Sequence, residues 1–387
     1  MNGDGPKPSP RSCVQNLAPY VPGRPIEEVE AEYGIHGAVK LASNENPLGP
    51  SPLALAAVQK ALSNVHRYPD SSGAALRRAL SSRFEVAPAR IVLGAGASEL
   101  IDLAVRAFVD AGQEVVVPTG IFRMFPIAVG RSGGSLVTVP HLADLRPDLP
   151  AMKRRIGEDT KLVAIANPNN PTGAYVTRAD LAAYFDGLPS HVLTVLDEAY
   201  FDFADGAEGY PDGLEFLAEG HAVMVLRTFS KMYGLAGLRI GYAFAPEEVA
   251  EALHKVREPF NTTSLAQVAA LAALDDDEFR ERVRAHVAKE RPFLERELAT
   301  RGLPPYPSVA NFLLVDAGRP FAPLESEFAR RGVIVRPMAG WGFPSCFRVS
   351  VGTNQENLRF LEVLDDLIGS SLIGPGREPA SSSAAVP

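Results

Sequence analysis

Five short runs of apolar, largely β-branched residues recur through the first part of the chain: Ile91–Leu93, Glu114–Val117, Leu162–Ala166, Val192–Leu196 and Ala222–Leu226. Stretches of helical period separate them. Runs apolar on both faces suit strands of a sheet covered on both sides, and parallel strands need crossovers of about this length. Over 98–109, Leu100, Ile101, Ala104, Val105 and Phe108 fall on one stripe at helical spacing, as a crossover helix packed on a sheet requires. The alternation predicts an α/β layer fold with a mainly parallel sheet, whose ligands sit beyond the carboxyl ends of the strands. Chemistry is therefore to be sought in the residues that immediately follow strands.

After about Glu258 the pattern changes to a long charged helical stretch, 278–297, and then to strand-like segments at 311–315, 332–336 and 347–351. That shift predicts a second, smaller domain. A chain of 387 residues with 46% hydrophobic content can bury both cores. The expected division is a disordered tail over 1–12, a segment 13–44 docking on the small domain or a partner subunit, a large domain 45–257, a small domain 258–369 and a disordered tail 370–387. Both tails are poor in large apolar groups.

A net charge of −8 with no Lys/Arg block marks neither a nucleic-acid footprint nor a membrane patch. Neither a secretory leader nor a membrane-spanning run is apparent. The two cysteines, Cys13 and Cys346, match no disulfide framework, zinc site or redox motif, which points to a reducing cytoplasm. His66 and His191 flank motifs without metal-spaced partners, so no metal site is expected.

Lys231 stands just past the apolar run Ala222–Leu226, in Arg227-Thr228-Phe229-Ser230-Lys231. A lysine held there partly desolvated becomes a neutral nucleophile able to form imines, although alone it reads as an ordinary exposed lysine. Asp197 follows the next run upstream, in Leu196-Asp197-Glu198-Ala199-Tyr200. It can pair with a protonated pyridine nitrogen, or merely cap a helix. In Asn167-Pro168-Asn169-Asn170-Pro171-Thr172-Gly173, two prolines and a glycine fix a turn that can aim an amide or simply turn the chain. Gly94-Ala95-Gly96-Ala97-Ser98-Glu99 carries a strand into a helix, a phosphate cradle in which Glu99 stands where a dinucleotide fingerprint wants glycine. Arg239 can add a charge-assisted contact to the same phosphate.

These motifs, in this order, resemble those of the fold-type I pyridoxal-phosphate-dependent aminotransferases. Further segments resemble the histidinol-phosphate aminotransferase branch and its aromatic-amino-acid relatives: 40–50 (KLASNENPLGP), 67–70 (RYPD), 257–262 (REPFNT) and 347–353 (FRVSVGT). The resemblance spans roughly residues 16–368. It implies a large domain with a mainly parallel seven-stranded sheet between helices, a smaller α+β domain, and pyridoxal 5′-phosphate as cofactor. It implies Lys231 as the Schiff-base lysine and proton carrier, Asp197 as partner of the pyridine nitrogen, and Asn170 and Tyr200 as donors to the phenolic oxygen. Ala97, Ser98, Ser230 and Arg239 resemble phosphate ligands, and Tyr68 resembles the residue that reaches the cofactor phosphate of the other subunit of a homodimer. Tyr20, Asn44, Arg336 and Arg348 are the implied substrate contacts.

The family stacks an aromatic residue on the pyridine ring soon after a Pro-Thr pair; here Pro118-Thr119-Gly120-Ile121 delays it, and Phe122 takes that role. The activity implied is ping-pong amino transfer between a small-molecule donor, histidinol phosphate, and a 2-oxo acid such as 2-oxoglutarate. A phosphate-free aromatic or secondary-metabolite donor is the alternative, which apolar contact with Phe122, Phe125 and Phe260 would favour. A decarboxylating relative and a non-catalytic sensor domain are further readings. Trp341, the sole tryptophan, reads equally as a packing residue or a substrate contact.

Overall fold

Branched side chains fill both covered faces of a pleated strand, and the valine- and isoleucine-rich runs do so here. The computed structural model describes residues 8–15, 17–20 and 22–374; the outer parts of the two expected tails, 1–7 and 375–387, lie outside the described residues. The central sheet has seven strands: β1 Ile91–Gly94, β2 Glu114–Pro118, β3 Ser135–Val139, β4 Thr160–Ala166, β5 Leu193–Asp197, β6 Val223–Thr228 and β7 Gly241–Phe244. Their order is β1-β7-β6-β5-β4-β2-β3. Strand β7 runs antiparallel to both its neighbours, and the other pairings are parallel. The fold is the expected α/β sheet, with β3 and β7 in addition to the strands read from the sequence.

Alternation along the strands divides two buried clusters. Val163, Ile165, Leu196 and Val225 pack on one face with Phe216 and Tyr242. Leu162, Ala164, Val195 and Leu226 pack on the other with Leu100, Ile101 and Phe125. Helix α1, Ala97–Phe108, buries its predicted stripe there, and α2, Met124–Ser132, lies beside it.

A three-stranded antiparallel sheet forms the second unit, in the order β9-β10-β8: β8 is Phe312–Asp316, β9 Arg336–Pro337 and β10 Cys346–Ser350. The segment expected as one strand at 332–336 divides. Val333–Ile334 pairs in parallel with Val39–Lys40, while Arg336 and Pro337 turn onto β10. Helices α3, Asp277–Thr300, and α4, Asn354–Gly369, cover this sheet with Leu294, Leu298, Phe360 and Leu364. Among the described residues no helix is long and apolar enough to cross a membrane.

Candidate active site

The carboxyl ends of β4, β5 and β6 open into a cavity of about 460 Å³ that the three-stranded sheet closes from the other side. Every site residue expected from the sequence lines it except Tyr68.

Lys231 lies at its base. Nζ donates to the carbonyl of Ser43 at 3.0 Å and sits 5.6 Å from the centre of the Tyr200 ring. Burial, with Arg348 and Arg239 adding repulsion, lowers its pKa to about 7 against the pull of Glu45 and Asp197. Asp197 ends β5, where an apolar strand delivers it into the cavity. Burial raises its pKa to about 6, opposed by the Ala199 N–H, which Oδ1 accepts at 3.1 Å, and by Lys231. The two groups thus stand near neutral pH by desolvation, from opposite directions.

Tyr200 is buried, and its phenol accepts from Asn44 Nδ2 at 2.9 Å; burial raises its pKa. Asn44 is tied in turn to Ser350, whose Oγ accepts from its backbone N–H at 2.8 Å and donates to its Oδ1 at 3.2 Å. Asn170 is held by its side-chain oxygen, which accepts from Arg348 Nη1. Arg348 also donates from Nη2 to the Ala42 carbonyl at 2.8 Å, while its buried Nε makes no hydrogen bond among the described residues. Burial lowers the Arg348 pKa to about 10. Arg336 is its direct cross-strand partner, so two cations face each other at the cavity wall. Like charges so placed repel unless an anion lies between them.

At the opposite end, α1 begins at Ala97 with no side chain capping its N-terminus. Its N-cap, Gly96, has φ +77°, and a Cβ there would come within 2.5 Å of Arg239 Nη2. Arg239 Nη1 donates to Ser230 Oγ at 3.5 Å and to the Ala236 carbonyl at 2.9 Å. An uncapped helix N-terminus, a serine hydroxyl and a guanidinium converge as an anion cradle. The cavity therefore offers an anion site at one end, paired cations at the other, and an amine with a carboxyl between them.

Tyr68 lies apart. It is 82% exposed and stacks on Phe260 at 4.7 Å in a neighbouring cavity, which Arg239 also lines. Phe125 is buried in the core and Phe260 lines that second cavity, so of the three expected phenylalanines only Phe122 reaches the site. Sequence reasoning missed the Ser43 carbonyl, a backbone group without a side-chain signature, and it missed Thr228, whose Oγ1 accepts from the Ser230 N–H at 3.1 Å. The strand-end position of Thr228 was the available signal. Trp341 lines the cavity.

Residues 37–364 match the family model for aminotransferase class I and II. A histidinol-phosphate aminotransferase from Anaeromyxobacter sp. (strain Fw109-5) is 48% identical over 92% of this chain and 98% of its own length. A histidinol-phosphate aminotransferase 2 from Carboxydothermus hydrogenoformans is 44% identical over 92% of this chain and 98% of its own. Among solved structures, the histidinol-phosphate aminotransferase from Sinorhizobium meliloti in complex with pyridoxal-5′-phosphate superposes with a TM-score of 0.86 at 33% identity, covering 93% of this chain and 97% of that one. With the family model spanning most of the chain and relatives of such identity along nearly its whole length, the protein belongs to the class I and II aminotransferases.

Proposed function

We propose that the protein is a pyridoxal 5′-phosphate-dependent aminotransferase that converts histidinol phosphate and 2-oxoglutarate to imidazole acetol phosphate and glutamate. The observation that carries the substrate reading is the opposition of Arg336 and Arg348 across β9 and β10, above a buried amine, in a chain whose relatives are named for that activity. Paired guanidinium groups suit a phosphoryl or carboxylate group, and 2-oxoglutarate and the phosphorylated donor each bring one.

The pocket fits the cofactor on its own features. The cradle of Gly96, Ala97, Ser98, Ser230 and Arg239 suits the phosphate, and a side chain at Gly96 would fill it. Asp197 suits the pyridine nitrogen, Asn170 and Tyr200 the phenolic oxygen, and Phe122 a ring face. When bound, pyridoxal 5′-phosphate supplies a carbonyl carbon open to amines and a ring that withdraws electrons from the substrate α-carbon. Lys231, with its pKa lowered to about 7 so that a large fraction of the amine is neutral at neutral pH, would hold that carbonyl carbon, and its Nζ would be the base that takes the proton from the substrate α-carbon. Asp197 would hold a proton on the ring nitrogen, whose positive charge would offset the burial that raises the carboxyl pKa. Asn44 fixes Tyr200, and Arg348 fixes Asn170, so the groups around the ring are oriented by the same side chains that bind substrate.

The reading extends to assembly and organisation. A homodimer is supported by Leu53, Leu55, Leu62, Val65 and Tyr68, each apolar or aromatic, exposed and close in the sequence. Tyr68 then serves the cofactor phosphate of the second subunit, for its cavity shares Arg239 with the cradle. The seven-stranded sheet falls within the large domain we assign to 45–257 and the three-stranded sheet within the small one at 258–369, with 13–44 docking on the small domain or a partner subunit. Two unpaired cysteines accord with a reducing compartment such as the cytoplasm.

The test is initial-rate kinetics of glutamate formation from 2-oxoglutarate, with histidinol phosphate, phenylalanine or tyrosine as donor. Histidinol phosphate should give the highest kcat/KM and parallel double-reciprocal lines. Turnover confined to phosphate-free aromatic donors would reject the substrate while leaving the aminotransferase chemistry standing.

A further inference from the structure

Trp341 occupies a loop of the small sheet between β9 and β10, yet it is gripped from the large sheet. The Arg123 guanidinium lies 5.9 Å from the indole centre, and Arg123 Nη1 donates to the Gly340 carbonyl at 3.0 Å. Beneath the loop, Gly120 has φ +73°, and a Cβ there would stand 2.5 Å from the Trp341 carbonyl oxygen and 2.9 Å from the Phe343 ring. The two loops meet so closely that only glycine is tolerated at that point. On its cavity side the indole carries a second cation, the Arg336 guanidinium, at 5.1 Å. The indole Nε1 is buried and makes no hydrogen bond among the described residues, so the contacts seen there hold the side chain through its ring and its loop.

Arg336 has reason to need such support. It faces Arg348 across the strands, and the mutual repulsion of two partly desolvated cations favours a rotamer that swings away from the cavity. An indole is the aromatic surface on which a guanidinium is held most firmly, and the attraction survives desolvation. We infer that Trp341 is a positioning residue for substrate selection: it holds Arg336 against the repulsion of Arg348, so that the cavity favours amino donors carrying a phosphoryl group over neutral donors of the same shape. The inference rests on the substrate reading above and adds the residue that enforces it. Gly120 belongs to the same device, because it admits the loop that carries the indole.

The test compares histidinol phosphate with phosphate-free histidinol on the cofactor-loaded enzyme. Trp341→Ala should lower kcat/KM for histidinol phosphate about tenfold more than for histidinol, chiefly through KM, the size expected for losing a desolvated cation–π contact. Trp341→Phe keeps a ring face and should restore most of the preference. Gly120→Ala, which displaces the loop while retaining the indole, should shift the preference in the same direction as Trp341→Ala. Because Trp341 is the only tryptophan in the chain, its emission gives a binding readout independent of turnover. Histidinol phosphate should change that emission saturably, and histidinol at the same concentration far less. Equal losses for both donors in Trp341→Ala, or an emission that histidinol phosphate leaves unchanged while it is turned over, would overturn the inference and leave the substrate reading intact. Failure of the unmodified enzyme to use histidinol phosphate would remove the substrate reading and the inference with it.

Discussion

Burying an amine among arginines sets the protonation of Lys231 before any ligand binds. Its pKa is about 7 in the folded chain against 10.5 for an ordinary lysine. Between those values the unfolded chain holds a proton that the folded chain lacks, so this group makes stability rise with pH across that window. Below pH 7 both states are protonated and the full cost of the buried cation is present. Lys231→Met removes the titration along with the amine proposed to act in catalysis. The cofactor-free variant should therefore be more stable than the parent at about pH 6 to 7 by an amount on the order of a few kcal/mol, with the advantage fading toward about pH 10.5. Urea denaturation at stepped pH measures it, and an advantage that grew with pH would contradict the burial of Lys231. Gly96 makes a second residue-scale case, since a methyl group there meets Arg239. Gly96→Ala should weaken pyridoxal 5′-phosphate binding about tenfold or more, the loss of one charge-assisted contact, and absorbance titration of the cofactor-free protein reads it directly. An unchanged affinity would remove Arg239 from the phosphate cradle.

Strands β5 and β6 place Asp197 and Lys231 from the front of the sheet, and an ion pair locks the same strand ends from behind. Glu198 Oε2 accepts from Arg227 Nε at 3.0 Å and Nη2 at 2.8 Å, while Oε1 accepts from the Gly213 N–H at 2.8 Å. Arg227 also donates to Asp212 at 2.6 Å and lies 3.7 Å from the centre of the Phe201 ring. Burial pushes the Glu198 pKa up to about 7 although Arg227 opposes it, so the pair is costly to separate. Glu198→Ala should cost about 3 kcal/mol, the low end for breaking a buried pair because the guanidinium keeps Asp212, whereas Glu198→Leu combined with Arg227→Met should recover most of it. Denaturant midpoints of the single and double variants decide this; equal losses in both would mean that packing, and not charge, holds the strand ends together. The elements most legible in the sequence are those whose strands are buried on both faces, such as β4 and β5, because nothing polar interrupts them. Strand β3 escaped notice because Ser135 and Thr138 sit on a half-exposed edge, and β7 because its four residues run on from the motif around Arg239. The split at 332–336 depends on two different partner strands, which no local pattern encodes. Within the site, side chains that follow strands were readable by position, whereas the Ser43 carbonyl became a partner of Lys231 only through folding.

At the scale of the whole molecule, the position of Tyr68 raises the question of how many chains make one site. Tyr68 is 82% exposed, follows exposed Leu62 and Val65 in the chain and shares a cavity with Arg239, which accords with the proposed homodimer. A closed two-fold dimer would give each chain's Tyr68 to the other's cradle, so damage to Lys231 and damage to Tyr68 on separate chains would fall on the same site. Lys231→Ala alone should be inactive, and Tyr68→Ala alone should bind the cofactor weakly and turn over slowly. When the two variants are unfolded together in equal amounts and refolded, half the dimers are mixed, and each mixed dimer holds one site built from an intact Lys231 and an intact Tyr68. Activity should then recover to about a quarter of the unmodified level, with one doubly damaged site left silent in every mixed dimer. If Tyr68 instead served its own chain, each site would keep its own single defect and mixing would add nothing. Recovery of activity on mixing, measured beside the dimer mass from light scattering, thus separates a shared site from two self-contained ones.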